Sequence, residues 1–329
     1  MKVRGRKERG TTVVAPSRPT IGVALGSGSA RGWAHIGVLQ SLLEADVPID
    51  YVAGASIGAF VGAAFCAGQL HLLNEEVRRL DWRRMASMLE VTLPRTGFLT
   101  GKNIVNFIRR FVNDRPIEAL PLPFCAVATS LRTGREIWLQ KGSTVEAVRA
   151  SLSIPGIFTP IQHGRWLLVD GGLANPVPVS VCRAMGADIV IAVNLNADLV
   201  GHPWRGIDGA ARAEASRQHK REKQAFRQYW RKQGVQLRRR LPWLQRTATQ
   251  PVSIFEVLLY SVQIMQDRLT RQRLAADPPD IQITPTLRQV LLWEFHRADE
   301  AITEGERATQ AILPMIKDML VHESPGGRT

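Results

Sequence analysis

Three short runs in this chain carry residue types that can do chemistry. Gly54-Ala55-Ser56-Ile57-Gly58 sets a serine between glycines where an apolar stretch, Asp50 to Ala55, gives way to helical spacing. A tight strand-to-helix turn crowds the backbone around such a serine, so it needs small neighbours, and the helix start lends positive potential beside the hydroxyl. That is the setting of a nucleophile elbow; the ordinary alternative is a bare strand-to-helix crossing. Gly26-Ser27-Gly28-Ser29-Ala30-Arg31-Gly32 follows another apolar stretch, and a glycine-rich loop at a helix start presents backbone N–H groups to a phosphate or an oxyanion. Its glycines fall at 26, 28 and 32, the last one place too late for G-x-G-x-x-G, and no acid closes the next strand, so oxyanion binding fits better than a dinucleotide. Asp170-Gly171-Gly172 comes after a third apolar stretch. Alone it reads as a turn; with Ser56 in the same chain, its carboxylate is a candidate base.

These groups need a scaffold, and the spacing supplies one. Thr20 to Leu25 reads as a short buried strand, and Trp33 to Ala45 as a helix through Ile36, Leu39, Leu42 and Leu43 that ends before Pro48. Asp50 to Ala55 is a second strand, followed by a helix with Phe60, Ala64 and Phe65 on one side. Gly101 to Phe111 reads as a helix, Phe124 to Ser130 as a strand, and Glu136 to Leu139 as its hairpin return past Thr133-Gly134. Thr144 to Leu152 is helical, while Trp166 to Val169 and Ile189 to Val193 are strands. Alternation of this kind predicts an α/β fold, a mainly parallel central sheet flanked by helices. Functional groups of such sheets gather beyond the carboxyl ends of the strands, where Gly28, Ser56 and Asp170 all fall. Further on, Ile254 to Leu274 reads as an amphipathic helix through Val257, Leu258, Met265 and Leu269, ended by Pro278-Pro279. Ile281 to Thr284 reads as an edge strand, and Arg297 to Leu320 as a last helix that Pro314 should bend.

The 329 residues, 45% of them hydrophobic, exclude a disordered chain. The formal charge of +14 is unevenly placed: residues 1 to 20 carry +5, residues 201 to 250 carry +10, and the other 259 sum to −1. The expected organisation is a basic tail over 1–19, a catalytic domain over 20–198, a basic insertion over 199–250 and a C-terminal helical extension over 251–329, packed on the same body. Cys66, Cys125 and Cys182 lack metal or disulfide spacing and read as buried thiols. Thr11 to Thr20 is polar and proline-broken where a signal peptide needs an apolar core, and Ile57 to Gly68 is too short to cross a bilayer, so a cytoplasmic location is expected. The basic insertion admits three readings: a solvated excursion, a peripheral contact with an anionic membrane helped by Trp204, Trp230 and Trp243, and nonspecific nucleic-acid contact.

The blocks Leu25 to Leu39, Gly54 to Gly58, Ser151 to Phe158 and Val169 to Pro178 together resemble those of the patatin-like phospholipases, in the same order. The likeness is nearest to the bacterial RssA-type branch, related to the neuropathy target esterase catalytic domain. It covers residues 21 to about 196 strongly, and 252 to 305 more loosely through Asp267 to Pro279 and Phe295 to Ala298. What the resemblance implies is a patatin-like three-layer fold and a lipid acyl hydrolase, a phospholipase, lysophospholipase or carboxylesterase, with a Ser-Asp dyad. Ser56 would be the nucleophile and Asp170 its base. Backbone N–H groups around Gly28 and Ser29, with Arg31 nearby, would bind the oxyanion. The family often has glycine where this chain has Ser27 and Ser29. No metal or organic cofactor is demanded, and for the lipid substrate that the resemblance implies, a peripheral contact of the basic insertion with an anionic membrane ranks above nucleic acid. A solvated aspartate is a feeble base, so burial beside Leu167, Leu168 and Val169 has to raise its pKa. The mechanistic rival is Ser-His-Asp. Among the seven histidines, His35 sits in the helix after the glycine loop, and His163, in a hairpin near Asp170, is the one placed to compete. The alternative from another class is a patatin-like module with weak or no hydrolysis, acting through regulation or protein contact.

Overall fold

The strands are built from residues that suit burial on both faces. In the computed structural model, which describes residues 18–81, 102–112, 114–197 and 254–322, β1 (Ile21–Leu25), β2 (Tyr51–Ala55), β3 (Phe124–Ser130) and β7 (Ile189–Val193) are buried almost throughout, as strands covered by helices on both sides must be. Side chains alternate between the faces. Ile21, Val23, Leu25, Phe124, Ile189, Ile191 and Val193 point into a large core. Ala24, Ala53, Ala55, Cys125, Val127, Val190 and Ala192 point into a thinner one.

Helices α1 (Ala34–Glu44), α2 (Ile57–Cys66), α3 (Leu70–Arg78), α4 (Lys102–Val112) and α5 (Thr144–Ser151) follow in order, then α6 (Val179–Met185) after β6 (Trp166–Asp170). Residues of α1 to α5 supply the large core, and α6 packs against β1, β2 and β7 on the thin side. The sheet runs β5-β6-β3-β2-β1-β7-β8, where β5 is Ile161–His163 and β8 is Ile281–Ile283; β4 (Glu136–Leu139) pairs with β3 off this path. Strands β3, β2, β1, β7 and β8 are parallel, while β4, β5 and β6 form antiparallel pairs. This is the helix-flanked α/β sheet expected from the alternation, in the three layers that the resemblance implies.

One detail of register decides where the chemistry sits. Val127 pairs with Ala55 of β2 and with Trp138 of β4, whereas Ala128 pairs with Asp170 of β6 and with Ile137 of β4. A strand has two edges, so β4 takes one and β2 and β6 share the other in tandem. Since β2 runs parallel to β3 and β6 antiparallel, their carboxyl ends meet head-on at consecutive residues of β3.

The C-terminal residues form α7 (Ile254–Ala276), β8 and α8 (Ala298–His322). The edge strand expected at Ile281 to Thr284 is β8, which extends the sheet beside β7, and α8 packs along α1. Helix α8 runs on through Pro314. Helix α7 departs from the sequence expectation. Its apolar residues Val257, Leu258 and Met265 are exposed, and the buried side is Leu259, Gln263, Asp267 and Thr270. Periodicity marks a stripe without saying which stripe meets the body, and here the body offers α7 polar loops. All three cysteines are free and buried, with burial pushing the Cys125 thiol up to about 12. Among the described residues, no helix is long and apolar enough to cross a membrane. Almost all of the basic tail and the whole basic insertion, with Trp204, Trp230 and Trp243, lie outside the described residues.

Candidate active site

Ser56 begins where β2 ends, and its backbone sits at φ 55°, ψ −123°, a region that costs a non-glycine residue about 1–3 kcal/mol. Several contacts hold it there. The Ser56 N–H donates to Ser151 Oγ at 2.8 Å, and the Ser151 hydroxyl donates to Val127 O at 2.6 Å. The turn is so tight that a side chain on Gly54 would meet Gly58 O at 2.4 Å, and one on Gly58 would meet Leu25 O at 2.2 Å. The small flanking residues are therefore a steric requirement. Ser56 O accepts from the Ala59 and Phe60 N–H groups at 3.0 and 3.3 Å, so α2 starts at the serine and turns its positive end toward this corner.

The tandem register brings Asp170 to the same corner. Ser56 Oγ donates to Asp170 Oδ2 at 2.5 Å, and the Gly172 N–H donates to Oδ1 at 2.8 Å. The Asp170 N–H is tied to Ser153 O at 3.0 Å and its carbonyl accepts from Thr129 Oγ1 at 2.8 Å. Ser56 is 3% exposed and Asp170 is 0% exposed. Burial raises the Asp170 pKa from the ordinary 3.8 to about 6, against the lowering effect of the Ser56 and Gly172 hydrogen bonds. A carboxylate so placed is a far better base for a serine hydroxyl than one in water.

The glycine loop lies against the elbow, with Gly58 packed on Leu25 O and Gly26 O, and Gly32 on Ile57. The Gly26 and Ser27 N–H groups donate to Val193 O and Pro176 O. By contrast, the Gly28 and Ser29 N–H groups have no acceptor among the described residues. Ser29 takes the left-handed conformation, φ 53°, that glycine would adopt without strain. Its hydroxyl donates to Leu292 O at 2.6 Å, and the Ala30 N–H donates to the same oxygen at 3.1 Å. The Arg31 N–H donates to Gly28 O, and its buried guanidinium donates through Nε to Val290 O at 2.9 Å.

Among the described residues, neither His35 nor His163 is hydrogen-bonded to Ser56 or Asp170. His35 is buried, its Nε2–H donates to Gly26 O at 2.7 Å, and burial lowers its pKa to about 4, so it stays neutral and pins the glycine loop. His163 pairs with Trp166 at the far end of β6 from Asp170, about 13 Å away along the strand. One contributor escaped the sequence reading. Gln266, on the inward side of α7, accepts through Oε1 from Ser27 Oγ at 3.3 Å, and its Nε2 lies 2.4 Å from where a Cβ on Gly172 would stand. It thereby links the glycine loop to the Asp170 turn. The recognisable block beginning at Asp267 stops one residue short of it, and within a helix it reads as surface glutamine. A separate cavity of about 330 Å³, lined by Asn194, Asp267, Arg271 and Gln282 among others, includes neither Ser56 nor Asp170.

A profile described as patatin-like phospholipase matches residues 23–183. A protein named as an uncharacterized NTE family protein in Mycobacterium tuberculosis strain H37Rv is 33% identical over 332 residues, covering 90% of this chain and 92% of the relative. The human patatin-like phospholipase domain-containing protein 6 is 39% identical over 183 residues, covering 54% of this chain and 13% of that protein.

Proposed function

The chain belongs to the patatin-like phospholipase family, and on that premise we propose that it hydrolyses carboxylic esters of lipids, phospholipid or lysophospholipid, through an acyl-Ser56 intermediate. The observation that carries this reading is the 2.5 Å hydrogen bond from Ser56 Oγ to the buried Asp170 carboxylate. Asp170 takes the Ser56 proton as Oγ attacks the ester carbonyl carbon. The carbonyl oxygen becomes an oxyanion that receives the Gly28 and Ser29 N–H groups. As the tetrahedral species collapses, the C–O bond of the ester breaks and Asp170 returns the proton to the leaving alcohol oxygen. Water then attacks the acyl-serine, giving its proton to Asp170, and collapse releases the fatty acid and restores the Ser56 hydroxyl. Glycine at the ordinary position of Ser29 would reach φ 53° freely; here the Leu292 hydrogen bond supports it.

The basic 199–250 segment delivers the enzyme to anionic membrane, each surface-proximal Lys or Arg adding about 1 kcal/mol. The test of the reaction is fatty acid release from a lysophospholipid by the wild-type chain and by Ser56→Ala. Release by the first alone is expected; equal release by both would remove Ser56 from the mechanism.

A further inference from the structure

Helix α7 is amphipathic the wrong way round for a helix that merely packs on a body. Its inward side is polar, with Gln263, Asp267 and Thr270 buried and Gln266 set over Ser27 and Gly172. Its outward side carries Val257, Leu258, Ile264 and Met265, each between 49% and 54% exposed. The spacing i, i+1, i+7 and i+8 places all four on one stripe. Large apolar side chains gathered this way on a surface mark an interaction site rather than scattered exposure.

The stripe borders the candidate active site. Leu258 Cδ1 lies 3.6 Å from where a Cβ on Gly156 would stand, in the segment whose Ser153 carbonyl holds the Asp170 N–H. Two positions further along the helix, Tyr260 stacks edge to face on Trp293, ring centroids 6.1 Å apart, in the segment whose Leu292 carbonyl holds Ser29 and Ala30. An aromatic pair with polar edges suits the boundary between water and lipid. Charge identifies the occupant. Past Met265 the exposed side continues into Arg268 and Arg271, and the acid beside them, Asp267, is buried and paired to Arg271. The chain entering α7 carries +10 over residues 201 to 250. A second copy, itself at +14, would bring like charge to this face.

We propose that the outward face of α7, Val257, Leu258, Ile264 and Met265, docks on an anionic lipid surface and sets the mouth of the Ser56 site against it. The proposal rests on the lipid-hydrolase reading for its purpose, but binding can be measured without catalysis. The experiment is co-sedimentation with vesicles of phosphatidylcholine containing about one-third phosphatidylglycerol, run in the Ser56→Ala background at low salt and at about 0.5 M salt, where electrostatic attraction is screened. The double variant Ile264→Asp/Met265→Asp should lose salt-resistant binding by tenfold or more, with Ile264→Ser/Met265→Ser intermediate. Both, on an intact Ser56, should hydrolyse a soluble short-chain ester at the parental rate, which certifies folding. Parental vesicle binding by the variants overturns the proposal, as does a parent that never sediments with vesicles. A parent that runs as a dimer, with variants that run as monomers, assigns the face to a second copy and overturns it as well. If the parent with Ser56 intact cleaves no ester, loss of vesicle binding in variants that melt cooperatively at the parental midpoint supports the docking face while removing the hydrolase reading.

Discussion

Replacing Asp170 with Asn should abolish turnover and at the same time make the protein more stable. The side chains are nearly isosteric, and Asn can still accept the Gly172 N–H through its Oδ1. What changes is charge. Burial lifts the Asp170 pKa from 3.8 to about 6, and each unit corresponds to about 1.4 kcal/mol. The native state thus holds the proton more tightly than the unfolded chain, so the stability Asp170 allows is complete below pH 3.8 and falls as pH rises through about 6. At pH 8 the ionised carboxylate costs the fold about 3 kcal/mol, and at pH 5 about half of that. Urea unfolding of wild type and Asp170→Asn should therefore give a stability gap that favours Asn and widens from pH 5 to pH 8. Hydrolysis of a soluble ester should fall by about 10²–10⁴-fold in the variant, the usual worth of a positioned base. In the wild type, kcat/KM should drop about tenfold for each pH unit below 6. A stability gap that does not change with pH, or an Asn variant that still turns over, would refute the assignment of a buried, proton-accepting Asp170.

Three further outcomes follow from neighbouring contacts. Gln266→Met should slow turnover of a soluble ester about tenfold at unchanged KM, whereas Gln266→Glu, which puts a second carboxylate beside Asp170, should move the acid limb of the pH profile upward; unchanged kinetics in both would reduce Gln266 to packing. Ser151→Ala leaves the Ser56 N–H buried without its acceptor and should cost about 1–3 kcal/mol in urea unfolding. Gly58→Ala should fail to reach the native thermal midpoint, because its methyl group would stand 2.2 Å from Leu25 O; a native-like melt would mean the elbow is looser than it looks.

The parts of this site that local pattern encodes were legible in the chain. Ser56 and Asp170 each follow a short apolar run, and strand-end placement alone assigned them to one crevice. The head-on meeting of β2 and β6 along Val127 and Ala128 was not legible, because register between distant segments leaves no local mark. Neither was the fate of Arg31, whose partner Val290 is 259 residues away, nor the inward turn of Gln266, 239 residues from Ser27. Helix α7 shows the same limit from the other side. Its period was readable, but which stripe faces inward depends on what it meets, and it meets the polar loops that carry Ser27 and Gly172. Ser29 is the instructive exception among local signals. A glycine-type conformation is filled by serine, and its support comes from a carbonyl in the last third of the chain.

The central claim is that Ser56 is an activated nucleophile, and the most direct measurement is labelling of the folded protein with a fluorophosphonate followed by peptide mass analysis. The adduct should fall on the peptide containing Ser56, vanish in Ser56→Ala, and persist when a serine away from the site, such as Ser261, is replaced. Folded protein that takes up no label, or label that stays after Ser56 is removed, would contradict it.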